Sequence, residues 1–449
     1  MRNFINPLTQ IGNESIPALV EKPVLSEDDQ ANALVASVEA FGDIEVLSIE
    51  ADRYVDLATG LENLALVATG IEQANPNELG LIDVAGDIAM AGSGHSGAIM
   101  TPGLEDSAGT TVSVEGIKTI AKDIWKAIKE FVKKIWKRVD DFFHNVFGAL
   151  PRLRKAMVAL KDRADKMADK SIEESKTEVG SLANPLVVNN VAPSNGSAIE
   201  EVLKTELTVA TGMFEVYTKC IIERGETLKK GFKGYKPAKD WTEEQHSSAV
   251  AEMFGWGDDS SKIRRAFDAK ELKTKDRRFP ESATISSVAI GANMSLFVQE
   301  RVEADDATVL GKADAASSRI VRIMSTFEKS KDAIDDHEME TMSIKDIQSI
   351  ADVCIEIIDV IEGWERGKNI GKVKDLVKDV NDGGEALSKV FGKFDDVPNA
   401  VRPYPKAAQG FTKSFTDWTG MEYASITKNA LAAVRAAVSL CNKSLSNYK

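Results

Sequence analysis

The chain has 449 residues, 43% of them apolar and 28% charged, and a formal net charge of −14. That length admits on the order of two to four domains and a sizeable core, while abundant Ala, Lys, Glu and Asp beside only 6% aromatics favour helix. Cys220, Cys354 and Cys441 are scattered and form no CxxC pair, which argues against a disulfide framework or a zinc site and suits a reducing cytoplasm.

The first 115 residues contain three basic and nineteen acidic side chains, a local charge of −16. Residues 1–25 read as a loop; their opening, MRNFINPLTQ, lacks the apolar run of a secretory signal. Ser26, followed by Glu27, Asp28 and Asp29, is a good helix start, and short helices are expected over about 28–42 and 45–74. Residues 75–115 then turn rich in Gly, Ala, Ser and Thr and read as a tether. Gly92-Ser93-Gly94-His95-Ser96-Gly97 matches GxGxxG, but no strand precedes it and no strong helix opens at Gly97. A phosphate cradle needs both, so the match reads as linker and no cofactor is expected.

Gly116–Leu150 is the most strongly patterned stretch. Ile117, Ile120, Ile124, Ile128, Phe131, Ile135, Val139, Phe142 and Val146 recur at the helical period. Lys118, Lys122, Lys126, Lys129, Lys133, Lys134, Lys137 and Arg138 supply a basic polar side, and Trp125 and Trp136 widen the apolar stripe. Gly148 and Pro151 are expected to end this helix. Its apolar stripe either packs on a core or, as a cationic surface-seeking helix, faces an anionic membrane or an acidic partner.

A second charged helix is expected over 151–178 and a loop over 180–197. Ser197 and Glu200 suggest a capping box for a helix over 198–232. Residues 233–282 are mixed. Further helices are expected at about 284–303, 306–340, 343–365, 369–392 and 405–445, with Asn381-Asp382-Gly383-Gly384 as a break in the penultimate one. Strand signals are few, and no stretch of about 18 uninterrupted apolar residues offers a helix that spans a membrane. The expected fold class is all-α: a multi-helix mature domain behind an acidic, partly flexible segment. The expected divisions are 1–115 (acidic propeptide and tether), 116–179 (basic amphipathic segment) and 180–449 (helical domain).

No local motif asks for catalysis or a metal. Asp332, Asp335, Asp336, His337, Glu338 and Glu340 form an acidic cluster without EF-hand or HExxH spacing, which reads as a solvated helix face. The four histidines, His95, His144, His246 and His337, lie far apart and have no nucleophile signature beside them. Arg264, Arg265, Lys273, Lys275, Arg277 and Arg278, with Lys262 and Lys270 nearby and Phe267 and Phe279 interleaved, are the candidate nucleic-acid contact. Asp268, Glu271 and Asp276 dilute it.

The charge pattern changes at one point. Residues 116–449 carry 53 basic and 51 acidic residues, and 116–170 alone hold fifteen basic and seven acidic ones, a local +8. The boundary falls directly after Ser113-Val114-Glu115, with Gly116 next. Ser37-Val38-Glu39, Ser48-Ile49-Glu50 and Ser171-Ile172-Glu173 have the same form, but only Glu115 combines a reachable tether with the charge boundary. A Ser-x-Glu triplet before a small residue resembles the sites cut by prohead proteases of large tailed phages.

An acidic leader, a Gly/Ala-rich tether, that triplet and a larger helical part together resemble the internal head proteins of jumbo tailed phages. The resemblance rests on the overall layout and on residues 48–115. It implies a non-enzymatic virion protein in the capsid interior, made in the host cytoplasm and targeted to the prohead core by its propeptide. A prohead protease, other head or core proteins, packaged DNA and further copies of the chain are the partners it implies. The competing expectation is a membrane-active or host-interacting effector whose helix at 116–150 is masked by the acidic segment.

Overall fold

The computed structural model describes residues 140, 142–144, 146–234, 242, 245, 259–272, 284–301, 321–325, 337–391 and 403–449; for 301, 321–325, 381, 384–391 and 403–421 it describes the backbone alone.

Helix α1 runs through 146–166, with helical backbone also at 140 and 142–144. After it come β1 (Lys176–Glu178), a 3-10 segment (Gly180–Leu186), α2 (Gly196–Thr211), a π-helical turn (Gly212–Tyr217) and α3 (Thr218–Gly234). Next are α4 (Asp259–Ala266), β2 (Lys270–Glu271), β3 (Thr284–Ile290), β4 (Met294–Arg301) and β5 (Val321–Ser325). The chain closes with β6 (Glu338–Glu340), α5 (Ile344–Arg366), α6 (Asn369–Phe391) and α7 (Pro403–Leu445).

The fold is predominantly helical, and α7 is its axis. From Glu422 to Leu445 nearly every turn of α7 is buried on all sides, including Tyr423, Ile426, Leu431, Val434, Val438 and Cys441. A helix that is apolar all round belongs inside a core. Ala424, Ala430, Ala433, Ala436 and Ala437 keep it thin enough for neighbours to approach closely. The 3-10 segment, α2, α5 and α6 pack around it, while α2 pairs with α5 and α3 with α6. One continuous apolar core takes in Phe142, Phe143 and Leu153 of α1 together with α2, α3, α5, α6 and α7.

Helix α1 does not end where Gly148 and Pro151 predict. It continues through both, because Val146, Ala149, Leu150, Leu153, Ala156, Met157, Leu160 and Ala164 form one unbroken buried stripe. Burial at about 1.5–3 kcal/mol per large side chain outweighs the roughly 3 kcal/mol that an interior Pro costs. The expected charged helix over 151–178 stops instead at 166, and 176–178 is strand. Helix α6 likewise passes through Asn381–Gly384: a Cβ on Gly383 would lie 2.9 Å from Cδ2 of Phe232, so that glycine lets α3 come close rather than breaking the helix. The cap of α2 is Asn195, whose side chain accepts from the Ala198 amide at 2.9 Å, and not the expected Ser197.

The all-α expectation also needs correction. Within the expected helices at 284–303 and 306–340, Thr284–Ile290, Met294–Arg301 and Val321–Ser325 are strands, and with β2 they form an antiparallel four-stranded sheet in the order β2-β3-β4-β5, with Ser287 opposite Phe297 and Leu296 opposite Ile323. A separate antiparallel pair joins β1 to β6, with Thr177 opposite Met339. Strand alternation explains the sheet: Leu296 and Val298 enter the main core, while Phe297 packs with Ile285 on the other face.

Candidate functional site

The cleavage triplet Ser113-Val114-Glu115 with Gly116, the basic side chains Lys118 to Arg138, the Gly92–Gly97 match, His95 and His246 all lie outside the described residues, as do Lys273, Lys275, Arg277 and Arg278. The described part of the second basic region sits on and after α4. There Lys262 pairs with Asp259 at 2.9 Å and Arg264 pairs with Glu300 of β4, while Arg265 is exposed. Phe267 is fully buried, and it closes over Gly212, where a Cβ would lie 2.7 Å from its ring. It is a packing residue and not an aromatic platform for bases.

Of the acidic cluster, Glu338 and Glu340 lie on strand β6 and His337 directly precedes it, in place of the expected helix face. His337 and Glu338 tie the segment into the fold: His337 Nε2 lies 3.0 Å from the Pro193 carbonyl, and Lys176 bonds Glu338 at 2.9 Å. Among the described residues no three His, Cys, Asp or Glu side chains converge as metal ligands, and no helix is long and apolar enough to cross a membrane. The three cysteines are buried and unbridged. Burial pushes the Cys220 thiol up to about 11 and the Cys354 thiol up to about 12, and raises Cys441 as well. Such thiols are protonated at neutral pH and are poor nucleophiles.

Two polar knots inside the core escaped sequence reasoning. At the first, α2 places Glu206 on its apolar stripe between Leu203 and Val209. Its Oε1 accepts from the Gly291 amide at 2.8 Å and from Asn429 Nδ2 at 2.7 Å, while Oε2 is buried without a hydrogen-bond partner. Burial disfavours the carboxylate and those two hydrogen bonds favour it. Burial prevails, and the acid is pushed up to about 7. The knot joins α2, α7 and the tip of the β3–β4 hairpin. Ala292 and Asn293 of that tip have φ of 55° and 53°, and their amides donate to Pro185 and Val187 of the 3-10 region. An acidic residue at a stripe position was the available signal for this knot.

At the second knot, the Thr218 hydroxyl lies 2.9 Å from the Tyr423 hydroxyl, accepts from Trp364 Nε1 at 3.1 Å and reaches the Met213 carbonyl at 3.1 Å, across the π-helical turn. Tyr423 stacks on Trp364 with ring centroids 4.8 Å apart, and Phe143 and Phe214 pack on the same indole. An open cleft of about 630 Å³ lies beside this knot, lined by Phe214, Ile222, Val360 and Gly363 with Glu215 and Glu223 among its polar residues. Neither knot brings a nucleophile, a base and an acceptor site together. Both read as fasteners of the helical core.

The match that decides the family is to the model of phiKZ-like phage internal head proteins, which aligns with residues 20–443. The chain belongs to that family. Neither the curated proteins nor the solved structures compared with it give a match. The internal head protein is therefore a structural component of the virion, located inside the phage head and present in the infected cell during assembly. The match takes in most of the first 115 residues, from residue 20 on, as well as the helical core.

Proposed function

We infer that this internal head protein is a non-enzymatic precursor, carried into the prohead by residues 1–115 and cut after Glu115 by a prohead protease during head maturation. The single observation behind this is the charge boundary: −16 up to Glu115 and +8 over the next 55 residues, 116–170, with a Ser-Val-Glu-Gly junction between them. Before the cut, the acidic segment offsets the basic one and competes with nucleic acid for it. After the cut, Gly116 adds a free amine to a cationic N-terminus, which suits retention beside packaged DNA.

On this reading the phosphate contacts come from Lys118, Lys122, Lys126, Lys129, Lys133, Lys134, Lys137 and Arg138, supplemented by Arg265 and the basic run Lys273–Arg278. Other head proteins and further copies of the chain are the remaining partners. Intact-mass measurement on purified particles tests the cut. A chain beginning at Gly116 is expected, and one beginning at Met1 overturns the reading.

A further inference from the structure

Ser171-Ile172-Glu173 repeats the Ser-x-Glu form of the junction at Glu115, and its side chains are on the surface, with Ile172 45% exposed. By side chain its triplet is open to the same protease, although Glu174 follows it where Gly116 follows Glu115. Its backbone is not. The Ser171 amide donates to the Lys449 carbonyl at 3.3 Å, the Lys449 amide donates back to the Ser171 carbonyl at 3.1 Å, and the Glu173 amide donates to the Asn447 carbonyl at 2.8 Å. Ile172 and Tyr448 face each other as an antiparallel bridge, and Lys449 pairs with the Glu173 carboxylate.

These closing residues are themselves anchored. Tyr448 is nearly buried and its hydroxyl donates to the Met342 carbonyl at 2.9 Å. Asn447 Nδ2 reaches the Lys176 carbonyl and the Thr177 hydroxyl, each at 3.1 Å. Beyond the triplet, the Glu174 and Ser175 carbonyls are taken by the Thr341 hydroxyl and amide.

An endoprotease reads a substrate largely as an added strand, through the amides and carbonyls flanking the cut. Here the Ser171 and Glu173 amides and the Ser171, Glu174 and Ser175 carbonyls are already paired within the fold. We propose that Ser171–Glu173 is a latent cleavage site, held closed by a clasp made of Asn447–Lys449. The inference rests on the maturation reading above for its protease, and it explains how Ser171–Glu173, one of four triplets of this form in the chain, escapes the cut made at Glu115. A cut after Glu173 would sever α1, with its share of the core, from everything that follows. Protection of the peptide bond is therefore also protection of the assembled core.

The test treats the full chain, a variant ending at Ser446 and the variant Lys449→Pro with the prohead protease, and in parallel with a glutamate-specific endoprotease, and reads fragment masses. Lys449→Pro removes the amide that donates to Ser171 together with the ammonium that pairs with Glu173. Both variants are expected to be cut after Glu173 at least tenfold faster than the full chain, which stays intact there. Amide exchange at Ser171 and Glu173 in the full chain is expected to be at least tenfold slower than in an unstructured peptide.

Equal cutting at Glu173 in the full chain and the variants overturns the clasp, as does unprotected exchange at those two amides. It is also overturned if both variants keep the full chain's urea midpoint and remain uncut at Glu173, since Glu174 would then be what blocks the bond. If Glu115 is left intact while the variants open at Glu173, the maturation reading fails and the clasp stands.

Discussion

Glu206 and Asn429 meet inside the core, 2.7 Å apart, and the same carboxylate oxygen also holds the Gly291 amide. One side chain thus fastens α2 to α7 and to the tip of the sheet. Its second oxygen has no hydrogen-bond partner, which makes the ionised form costly there.

That cost sets a pH dependence. In the folded chain the acid titrates at about 7, against an ordinary value of 4.5. Below pH 4.5 both states hold the proton and the knot contributes fully. As the pH rises from 4.5 to 7 the unfolded chain ionises and the folded one does not, so stability falls by about 1.4 kcal/mol per pH unit, about 3 kcal/mol in all. Above pH 7 the loss levels off. Urea unfolding of the wild type and Glu206→Gln from pH 4 to 8 should show this difference, with the wild type losing ground over that window. Parallel curves would exclude it.

The Thr218 hydroxyl is the shared partner of Trp364 and Tyr423. Thr218→Val keeps the shape and removes the oxygen, which leaves a buried indole N–H and a buried phenol to find other partners. A loss of about 1–3 kcal/mol is expected, with a shift in the fluorescence of the Trp364 environment. A neutral effect on the urea midpoint would mean that the aromatic stack alone holds the π-helical turn in place.

Two kinds of contact hold α1 to the rest, and they should differ in strength. Arg154 bonds Asp359 and Glu362 with its side chain one-third exposed, and Lys161 bonds Asp352 at 2.5 Å on the surface. Such pairs contribute about 0–1 kcal/mol and weaken with salt. Leu153 is fully buried in the common core, and Leu153→Ala should cost about 2–5 kcal/mol. Unfolding of Leu153→Ala and Arg154→Ala at low and high salt separates the two. Only the arginine variant's deficit should shrink as salt is added.

These contrasts mark where the sequence was readable. The expected helices at 343–365, 369–392 and 405–445 correspond to α5, α6 and α7 because their apolar spacing follows the helical period over six or more turns. The sheet was missed because β4 carries Met, Leu, Gln and Glu, which favour helix in isolation, although the Thr, Ile and Val of β3 favour strand. Pairing across the hairpin, with Val288 opposite Leu296, overrides that preference. The Gly291-Ala292-Asn293 turn was the one local sign of a reversal. The polar knots were hidden for another reason: Glu206 meets Gly291 and Asn429 only through contacts 85 and 223 residues apart. No local pattern can show such a contact, although an acid on an apolar stripe hints at one. The family was legible in the sequence, since charge segregation survives any rearrangement in space.

Two glycines show how far a helix or turn preference depends on its surroundings. A Cβ on Gly291 would sit 2.3 Å from the Pro185 carbonyl oxygen, at the turn that docks on Glu206. Backbone cannot give way cheaply there, so Gly291→Ala should cost about 1–3 kcal/mol and loosen the hairpin. Gly363 lies in the interior of α5, beside the cleft, and a Cβ there would meet no atom within 4 Å. Gly363→Ala should therefore gain up to about 1 kcal/mol through helix propensity and a less free unfolded chain. Thermal unfolding of both variants decides the matter: opposite signs are expected. A gain at Gly291 would mean that the hairpin tip is not seated on the 3-10 segment, and with it would go the argument that Glu206 binds the sheet to the helices.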